Sequence, residues 1–187
     1  MWHRKAKHCP LCREELADEE IGGRTRPRCS ACGFVLYSNP ACASAGVVLN
    51  ASREVLLVRR AIEPFRGFWA LPAGYQEIDE HPQETVVREV REEAGIEVQV
   101  HGLLDLIFVS DDPRKPANVA VFLCEAAQAL PRPGDEESEA RFFPLDGLPR
   151  DIGFDNYERI LRRLVGGESY PGAAWEILGR LLGRTNR

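Results

Sequence analysis

The carboxylate side chains of residues 74–96, GYQEIDEHPQETVVREVREEAGI, are the first groups in this chain that could carry chemistry. Seven Asp or Glu residues fall in this segment, and Glu89, Glu92 and Glu93 lie within five positions, with only two arginines to offset them. Like charges three or four residues apart on a helix repel one another. The cluster therefore predicts either a solvated acidic surface or a site that uses its negative charge to bind a cation.

Four cysteines form a second set of candidate ligands. The pairs CPLC and CSAC each have two residues between their cysteines, and 16 residues separate one pair from the other. A two-residue spacing lets both thiolates of one turn reach a single tetrahedral ion. In a chain without signs of secretion this pattern favours structural zinc over a disulfide, with a redox pair as the alternative. The predicted zinc ligands are Cys9, Cys12, Cys29 and Cys32.

The composition is that of an ordinary globular protein, with 44% hydrophobic and 28% charged residues. The net charge of −5 argues against general binding to nucleic acids or anionic membranes. It does not exclude a polyphosphate substrate, because a metal can neutralise phosphate locally. No apolar run approaches the roughly 20 residues of a membrane span, and the N-terminal residues show no secretory signal. We therefore expect a cytoplasmic protein.

The elements that must position these side chains follow from hydrophobic periodicity and turn residues. The segment 9–36 is too short to bury a core, so it depends on its metal. The chain then predicts strands at 43–50 and 54–61 joined by a hairpin, a loop at 62–74, strands at 97–109 and 118–126, an acidic loop at 131–140 followed by a strand and turn, and helices at 154–165 and 173–183. This order predicts an α+β fold with a mixed sheet.

The carboxylate segment itself predicts a helix from Pro82 to Ala94, because proline suits the first helical position and Gly95 suits the left-handed residue after the end. At about 100° per residue its apolar side chains share one face, which should be buried. These side chains are Val86, Val87, Val90 and Ala94. The three glutamates occupy a neighbouring arc at the edge of this face, and oxygen ligands that converge there suit Mg²⁺ or Mn²⁺.

The same segment resembles the Nudix box. Gly74, Glu80 and the run REVREEAGI at 88–96 fill every defining position across 23 residues. The resemblance implies an α/β/α sandwich with a mixed sheet that hydrolyses a nucleoside diphosphate linked to another moiety. It also divides the chain into a zinc ribbon at 1–38 and a Nudix hydrolase domain at 39–187.

Roles for individual residues are implied by the same resemblance. Arg88 would orient the glutamates, and Glu80 would brace the loop before the helix. His81 stands where Ser or Thr is common, so we expect a weaker helix N-cap. The implied ligands of the catalytic Mg²⁺ or Mn²⁺ are Glu89, Glu92, Glu93 and the backbone carbonyl of Ala73.

The general base and the substrate contacts are less constrained. In some relatives the base lies on the helix, and in others on a downstream loop, where the acidic run 135–139 is the candidate here. We prefer Glu139 to Glu137, because Glu139 adjoins a strand-like segment; a solvated loop is the alternative. Arg60 and Arg66 could contact phosphates and Phe65 could stack on adenine, with surface charge and core packing as the alternatives.

The substrate class follows from the wider resemblance. A four-cysteine ribbon followed by YSNPA and LLVRRAIEPFRGFWALPAGYQE is similar to bacterial ADP-ribose pyrophosphatase-like proteins and to the plant chloroplast FAD pyrophosphatase. Pro113, 18 residues after Gly95, stands near a position where many ADP-ribose enzymes carry proline. The signature SQPWPFPxS of NADH pyrophosphatases is missing from residues 97–130. We expect ADP-ribose or FAD as the substrate, with AMP and a phosphorylated second product.

Three alternatives stay open: an NADH or NAD-cap pyrophosphatase, a housecleaning hydrolase of damaged nucleoside triphosphates, and a non-catalytic Nudix-fold sensor. A sensor would be expected to have lost glutamates of the box, and this chain has lost none. We expect a small-molecule nucleotide as the partner, no membrane or nucleic-acid partner, and leave a homodimer open as the assembly state.

Overall fold

The computed structural model describes residues 6–110, 115–126, 130–166 and 173–183. Across these residues the backbone forms nine strands and three helices. In chain order they are β1 (Leu16–Ile21), β2 (Arg24–Cys29), β3 (Ala41–Leu49), β4 (Val55–Arg60), β5 (Trp69–Ala70), β6 (Ala73–Tyr75), α1 (Pro82–Ala94), β7 (Val98–Val109), β8 (Ala117–Ala126), β9 (Glu137–Phe143), α2 (Asp155–Gly166) and α3 (Ala173–Leu181). The chain divides into two compact units, of which the first contains β1 and β2 and the second contains β3 to α3.

The first unit is a hairpin flanked by two cysteine turns. β1 and β2 pair antiparallel along their full length. Gly22 and Gly23 connect them with φ angles of 61° and 72°, the positive values that a two-residue type I′ turn requires. Among the described residues of this unit, the buried ones are Cys9 and Cys29. No apolar core is therefore found in that part of the chain, in agreement with the expectation that a metal stabilises it.

The second unit is built on a seven-stranded sheet. Its main path is β5-β4-β3-β8-β7, while β6 pairs with β3 and β9 pairs with β4. β3 and β8 run parallel, with Ala41 opposite Ala117 and Leu49 opposite Glu125. The other pairs are antiparallel. The sheet is therefore mixed, as the order of elements predicts.

Helices cover both faces of this sheet. On one face α1 packs against side chains of β3, β4 and β8, and on the other α2 and α3 pack against the sheet. A Cβ added at Gly46 of β3 would lie 3.1 Å from Val86 and 3.3 Å from Val90, so this glycine lets α1 approach the sheet closely. The α/β/α sandwich is confirmed. Among the described residues, no helix combines the length and the apolar character of a membrane span.

The structure differs from the predicted elements in three places. The segment predicted as a loop at 62–74 contains β5 and β6, because its backbone pairs with β4 and β3. The acidic loop ends before Glu137, where β9 begins. On α1 the fourth buried side chain is Thr85 and not Val87, which is half-buried. Thr85 can be buried because its hydroxyl donates a hydrogen bond to the carboxylate of Glu80 at 3.0 Å.

Candidate active site

The ends of α1 fix the direction in which its glutamates point. Pro82 occupies the first helical position and Gly95 ends the helix with a φ of 65°, as the sequence predicts. At the N-terminus, the amide of His81 donates to Glu84 at 2.7 Å. The reciprocal bond from the amide of Gln83 to Nδ1 of His81 is long, at 3.5 Å, which agrees with the expected weak cap.

A cleft of about 470 Å³ lies beside the C-terminal half of α1. The residues that line it are Glu89, Glu92, Glu93, Gly134, Asp135, Glu136 and Glu137. The structure thus brings the three glutamates of the box together with one of the two acidic residues considered as a base.

Arg88 ties two of these glutamates to the loop before the helix. Its Nη1 donates to Glu89 at 2.7 Å and to Glu92 at 3.0 Å. Its Nη2 donates to the carbonyl of Tyr75 and to Glu80, each at 3.0 Å, and its Nε also binds Glu80. The hydrogen bonds from Arg88 lower the pKa of Glu80 to about 2. The roles that the resemblance implies for Arg88 and Glu80 are compatible with these contacts.

The backbone of β6 supports the other side of the cleft. A Cβ added at Gly74 would lie 2.0 Å from Oε1 of Glu89, so the glycine leaves room for that carboxylate in its present position. The amide of Ala73 donates to Oε2 of Glu93 at 3.0 Å. Glu89 and Glu93 therefore both rest against the same short strand, one by close packing and the other by a hydrogen bond.

The cleft favours protonation or neutralisation of its carboxylates. Burial raises the pKa of Glu93 well above its usual value, and the charges of Glu137 and Glu89 add to this rise. Burial also raises the pKa of Glu89, although Arg88 opposes the effect. Burial raises the pKa of Glu137 to about 7, with a further contribution from the charge of Glu136. A cation that binds among these oxygens would offset both the burial of the charged carboxylates and the repulsion between them.

Glu139, which the sequence favours over Glu137 as the base, is not among the residues that line the cleft. Its carboxylate accepts a hydrogen bond from Arg59 at 2.8 Å. On β9, Glu139 lies opposite Arg59 but Glu137 lies opposite Arg60, so the strand contains a bulge between them. Residues two apart on a regular strand share a face, and the bulge is what separates these two side chains.

The structure places the predicted substrate contacts at different distances from the sheet and the solvent. Arg60 ends β4 opposite Glu137, and Phe65 is half-buried with its ring 4.6 Å from that of Phe154. Arg66 is exposed, and Pro113 lies outside the described residues. Phe154, whose ring contacts that of Phe65, was not among the predicted substrate contacts, because its position in the sequence indicates the start of an amphipathic helix.

The four cysteines of the first unit come together. Sγ of Cys9 lies 3.6 Å from that of Cys32, and Sγ of Cys12 lies 3.4 Å from that of Cys29. A tetrahedral ion with bonds of about 2.3 Å to sulfur would separate the sulfurs by about 3.8 Å. Among the described residues, this is the one group of at least three potential ligands within 4.8 Å of one another. The cluster therefore fits a tetrahedral metal.

Backbone amides support two of these thiolates. The amide of Leu11 lies 3.4 Å from Sγ of Cys9. Burial opposes ionisation of Cys9, but hydrogen bonds from the amides of Cys12 and Leu11 lower its pKa to about 7. The amide of Cys32 likewise lowers the pKa of Cys29. Thiolates stabilised in this way are the form that binds metals.

Comparisons with known proteins point to one family. A family model described as NUDIX domain matches residues 40–164. The ADP-ribose pyrophosphatase of Methanocaldococcus jannaschii is 38% identical over 130 residues, which cover 69% of this chain and 75% of that protein. The NAD-capped RNA hydrolase NudC of Pseudomonas aeruginosa is 30% identical over 153 residues, which cover 80% of this chain and 51% of NudC. A NUDIX hydrolase structure from Nitrosomonas europaea matches with a TM-score of 0.79 and 29% identity, covering 87% of this chain and 92% of that one.

Proposed function

The chain belongs to the Nudix family and is a Nudix hydrolase. We propose that its substrate is ADP-ribose and that it hydrolyses the pyrophosphate bond of this nucleotide. The observation that carries the proposal is the cleft in which Glu89, Glu93 and Glu137 lie together. The choice of ADP-ribose is supported by the similarity to an ADP-ribose pyrophosphatase over 69% of the chain. FAD is a further candidate on the resemblance of the sequence alone.

NAD-capped RNA or NADH is the second candidate, because the chain is also similar to NudC. The chain spans about half the length of NudC. One fact places this candidate behind ADP-ribose: residues 97–130 lack the signature SQPWPFPxS of NADH pyrophosphatases.

Glu89, Glu92 and Glu93 would hold the catalytic cations, with the carbonyl of Ala73 as a further ligand. Hard carboxylate oxygens are the donors that Mg²⁺ and Mn²⁺ prefer. When bound, such ions neutralise the pyrophosphate and lower the pKa of a bound water.

Glu137 is the residue that we assign as the general base. It lines the cleft together with the proposed metal ligands, so its carboxylate would lie close to a metal-bound water, and an ionised carboxylate in that position can accept a proton. Its carboxylate would take a proton from the attacking water as the water oxygen bonds to phosphorus. The bridging P–O bond then breaks, and its electron pair leaves with the departing phosphate.

The assignment of the base predicts opposite results for two neighbouring glutamates. Glu137→Gln should lower turnover by about 10²–10⁴-fold, the usual contribution of a general base, whereas Glu139→Gln should stay within about twofold because that carboxylate binds Arg59. Both variants are compared in steady-state assays with ADP-ribose, together with their affinity for Mn²⁺. Normal turnover in Glu137→Gln would move the base to the helix.

The substrate proposal predicts the products. With Mg²⁺ or Mn²⁺, ADP-ribose should give AMP and ribose 5-phosphate, and FAD should give AMP and FMN. The purified protein is incubated with ADP-ribose, FAD, NADH, dinucleoside polyphosphates and nucleoside triphosphates, and the products are separated by chromatography. A specificity constant for NADH tenfold above that for ADP-ribose and FAD would contradict the proposal. Release of inorganic pyrophosphate from nucleoside triphosphates would indicate a housecleaning hydrolase. If none of the nucleotides is cleaved, the protein would be a sensor.

The cysteine cluster is proposed as a structural zinc site in a ribbon at 1–38, followed by the hydrolase domain at 39–187. The support for zinc is the four-thiolate donor set in tetrahedral spacing. Such a site has no open position for substrate, so it would stabilise the fold and take no part in hydrolysis.

A further inference from the structure

Three arginines near the cleft differ in how far the protein already uses their hydrogen-bond donors. All three guanidinium nitrogens of Arg88 bind groups of the site itself, and Arg59 donates to Glu139 and to a loop carbonyl. Arg60 donates its Nε to the carbonyl of Pro64 at 2.7 Å. The hydrogen bonds among the described residues include none from Nη1 or Nη2 of Arg60. Its terminal donors are therefore available to a ligand.

The position of Arg60 connects the acidic cleft to a group of aromatic rings. On one side, Arg60 lies opposite Glu137 where β4 pairs with β9, and its positive charge opposes the rise in pKa that burial causes at Glu93 and Glu137. On the other side, its Cζ lies 5.5 Å from the centroid of the Phe154 ring. A phosphate beside Arg60 would thus lie between the cleft and this ring.

The rings of Phe65 and Phe154 form a pair whose backbone is unusual. Both residues have a positive φ, 61° at Phe65 and 64° at Phe154, a conformation that is rare for bulky side chains and tends to occur at functional sites. Gly153 allows their loops to approach, because a Cβ there would lie 3.0 Å from Cβ of Phe65. The half-exposed ring of Phe68 extends the pair, 6.1 Å from Phe65.

We infer that Arg60 and the Phe65–Phe154 pair bind the nucleoside monophosphate end of the substrate, with Arg60 on the phosphate and the rings against the base. This assignment rests on the proposed function, since it places one half of a nucleoside diphosphate whose other half would lie over the glutamates. The aromatic pair would then select substrates with a planar base.

The assignment is tested by binding, which needs no turnover. Isothermal titration calorimetry with Mg²⁺ measures the affinities of AMP and of inorganic pyrophosphate. Arg60→Gln should weaken both by about tenfold or more, because a hydrogen bond to a charged group is lost. Phe65→Leu should lower the affinity for AMP by about tenfold, as expected for a base that loses an aromatic partner. The affinity for pyrophosphate should stay within about twofold.

Two matched variants keep the result interpretable. Arg59→Gln changes the neighbouring arginine, whose donors are engaged elsewhere, and should leave both affinities within about twofold. Phe65→Tyr keeps the ring and should keep the affinity for AMP. The assignment would be refuted if Phe65→Leu lowered the affinities for AMP and for pyrophosphate equally. It would also be refuted if Arg60→Gln lowered neither affinity. If the wild type shows the binding pattern but cleaves no nucleotide, the proposed function fails and the assignment of the binding site stands.

Discussion

Replacing Glu93 by Gln should lower turnover by several orders of magnitude without unfolding the protein. The glutamine removes a ligand charge from the cleft but still offers an oxygen to the amide of Ala73, which now binds Glu93 at 3.0 Å. Added metal should rescue only part of the loss, because a neutral amide is a weaker ligand. Turnover is measured over a series of Mg²⁺ and Mn²⁺ concentrations, with the midpoint of thermal unfolding recorded in parallel.

The same experiment has internal controls on α1. Glu84→Gln changes an exposed glutamate of the first turn and should stay within about twofold of wild-type turnover, because Glu84 contacts the N-cap and does not line the cleft. Glu92→Gln should lower turnover less than Glu89→Gln does, because the Glu92 side chain is 55% exposed and that of Glu89 is 12% exposed. In the metal-free protein Glu93→Gln should not lower the unfolding midpoint, because it removes a buried charge that its neighbours repel. Wild-type turnover in this variant would rule out Glu93 as a ligand.

Removal of the metal from the four cysteines should unfold the first unit. Structural zinc contributes about 10–16 kcal/mol in small domains, and the buried residues in the described part of this unit are two of its proposed ligands. One zinc per chain should copurify, and a strong chelator should make residues 6–40 susceptible to proteolysis while the sheet of the second unit stays folded. Elemental analysis and limited proteolysis measure the two effects.

A cysteine outside the cluster provides the control for this prediction. Cys29→Ser should lose the zinc and show the same proteolysis without chelator, whereas Cys42→Ser should behave as wild type, because Cys42 lies on β3 in the second unit. A folded and fully reduced protein that contains no metal would contradict the prediction.

Short sequence motifs were sufficient to predict the ends of α1 and the convergence of the cysteines. Pro82 and Gly95 delimit α1 to the residue, and the spacing of the cysteines was enough to predict their convergence. The mixed sheet followed from the order of strands and helices. In each case the signal is a short motif or the order of the elements, both of which can be recognised in the sequence without knowledge of tertiary contacts.

Non-local contacts explain what the sequence could not settle. The bulge that turns Glu137 into the cleft and Glu139 toward Arg59 depends on how β9 pairs with β4, a strand about 80 residues earlier. The sequence pattern predicts that Thr85 is exposed, but its hydroxyl donates hydrogen bonds to the carboxylate of Glu80 and the carbonyl of His81 in the segment before α1. Periodicity alone does not reveal these contacts. The contact of Phe154 with Arg60 likewise joins segments with no shared pattern.

The parallel pairing of β3 with β8 has a consequence during protein synthesis. Ala41 pairs with Ala117, so 76 residues of translation separate one partner from the other. At about 5–20 residues per second this delay lasts roughly 4–15 s. The residues of β3 from Ala45 to Leu49 are buried in the folded protein, and their apolar side chains point to both faces of the sheet. During this delay β3 can pair with β4 and β6, but the edge that will pair with β8 has no partner strand. The nascent chain therefore carries a hydrophobic strand that is open to chaperone capture until β8 has been made.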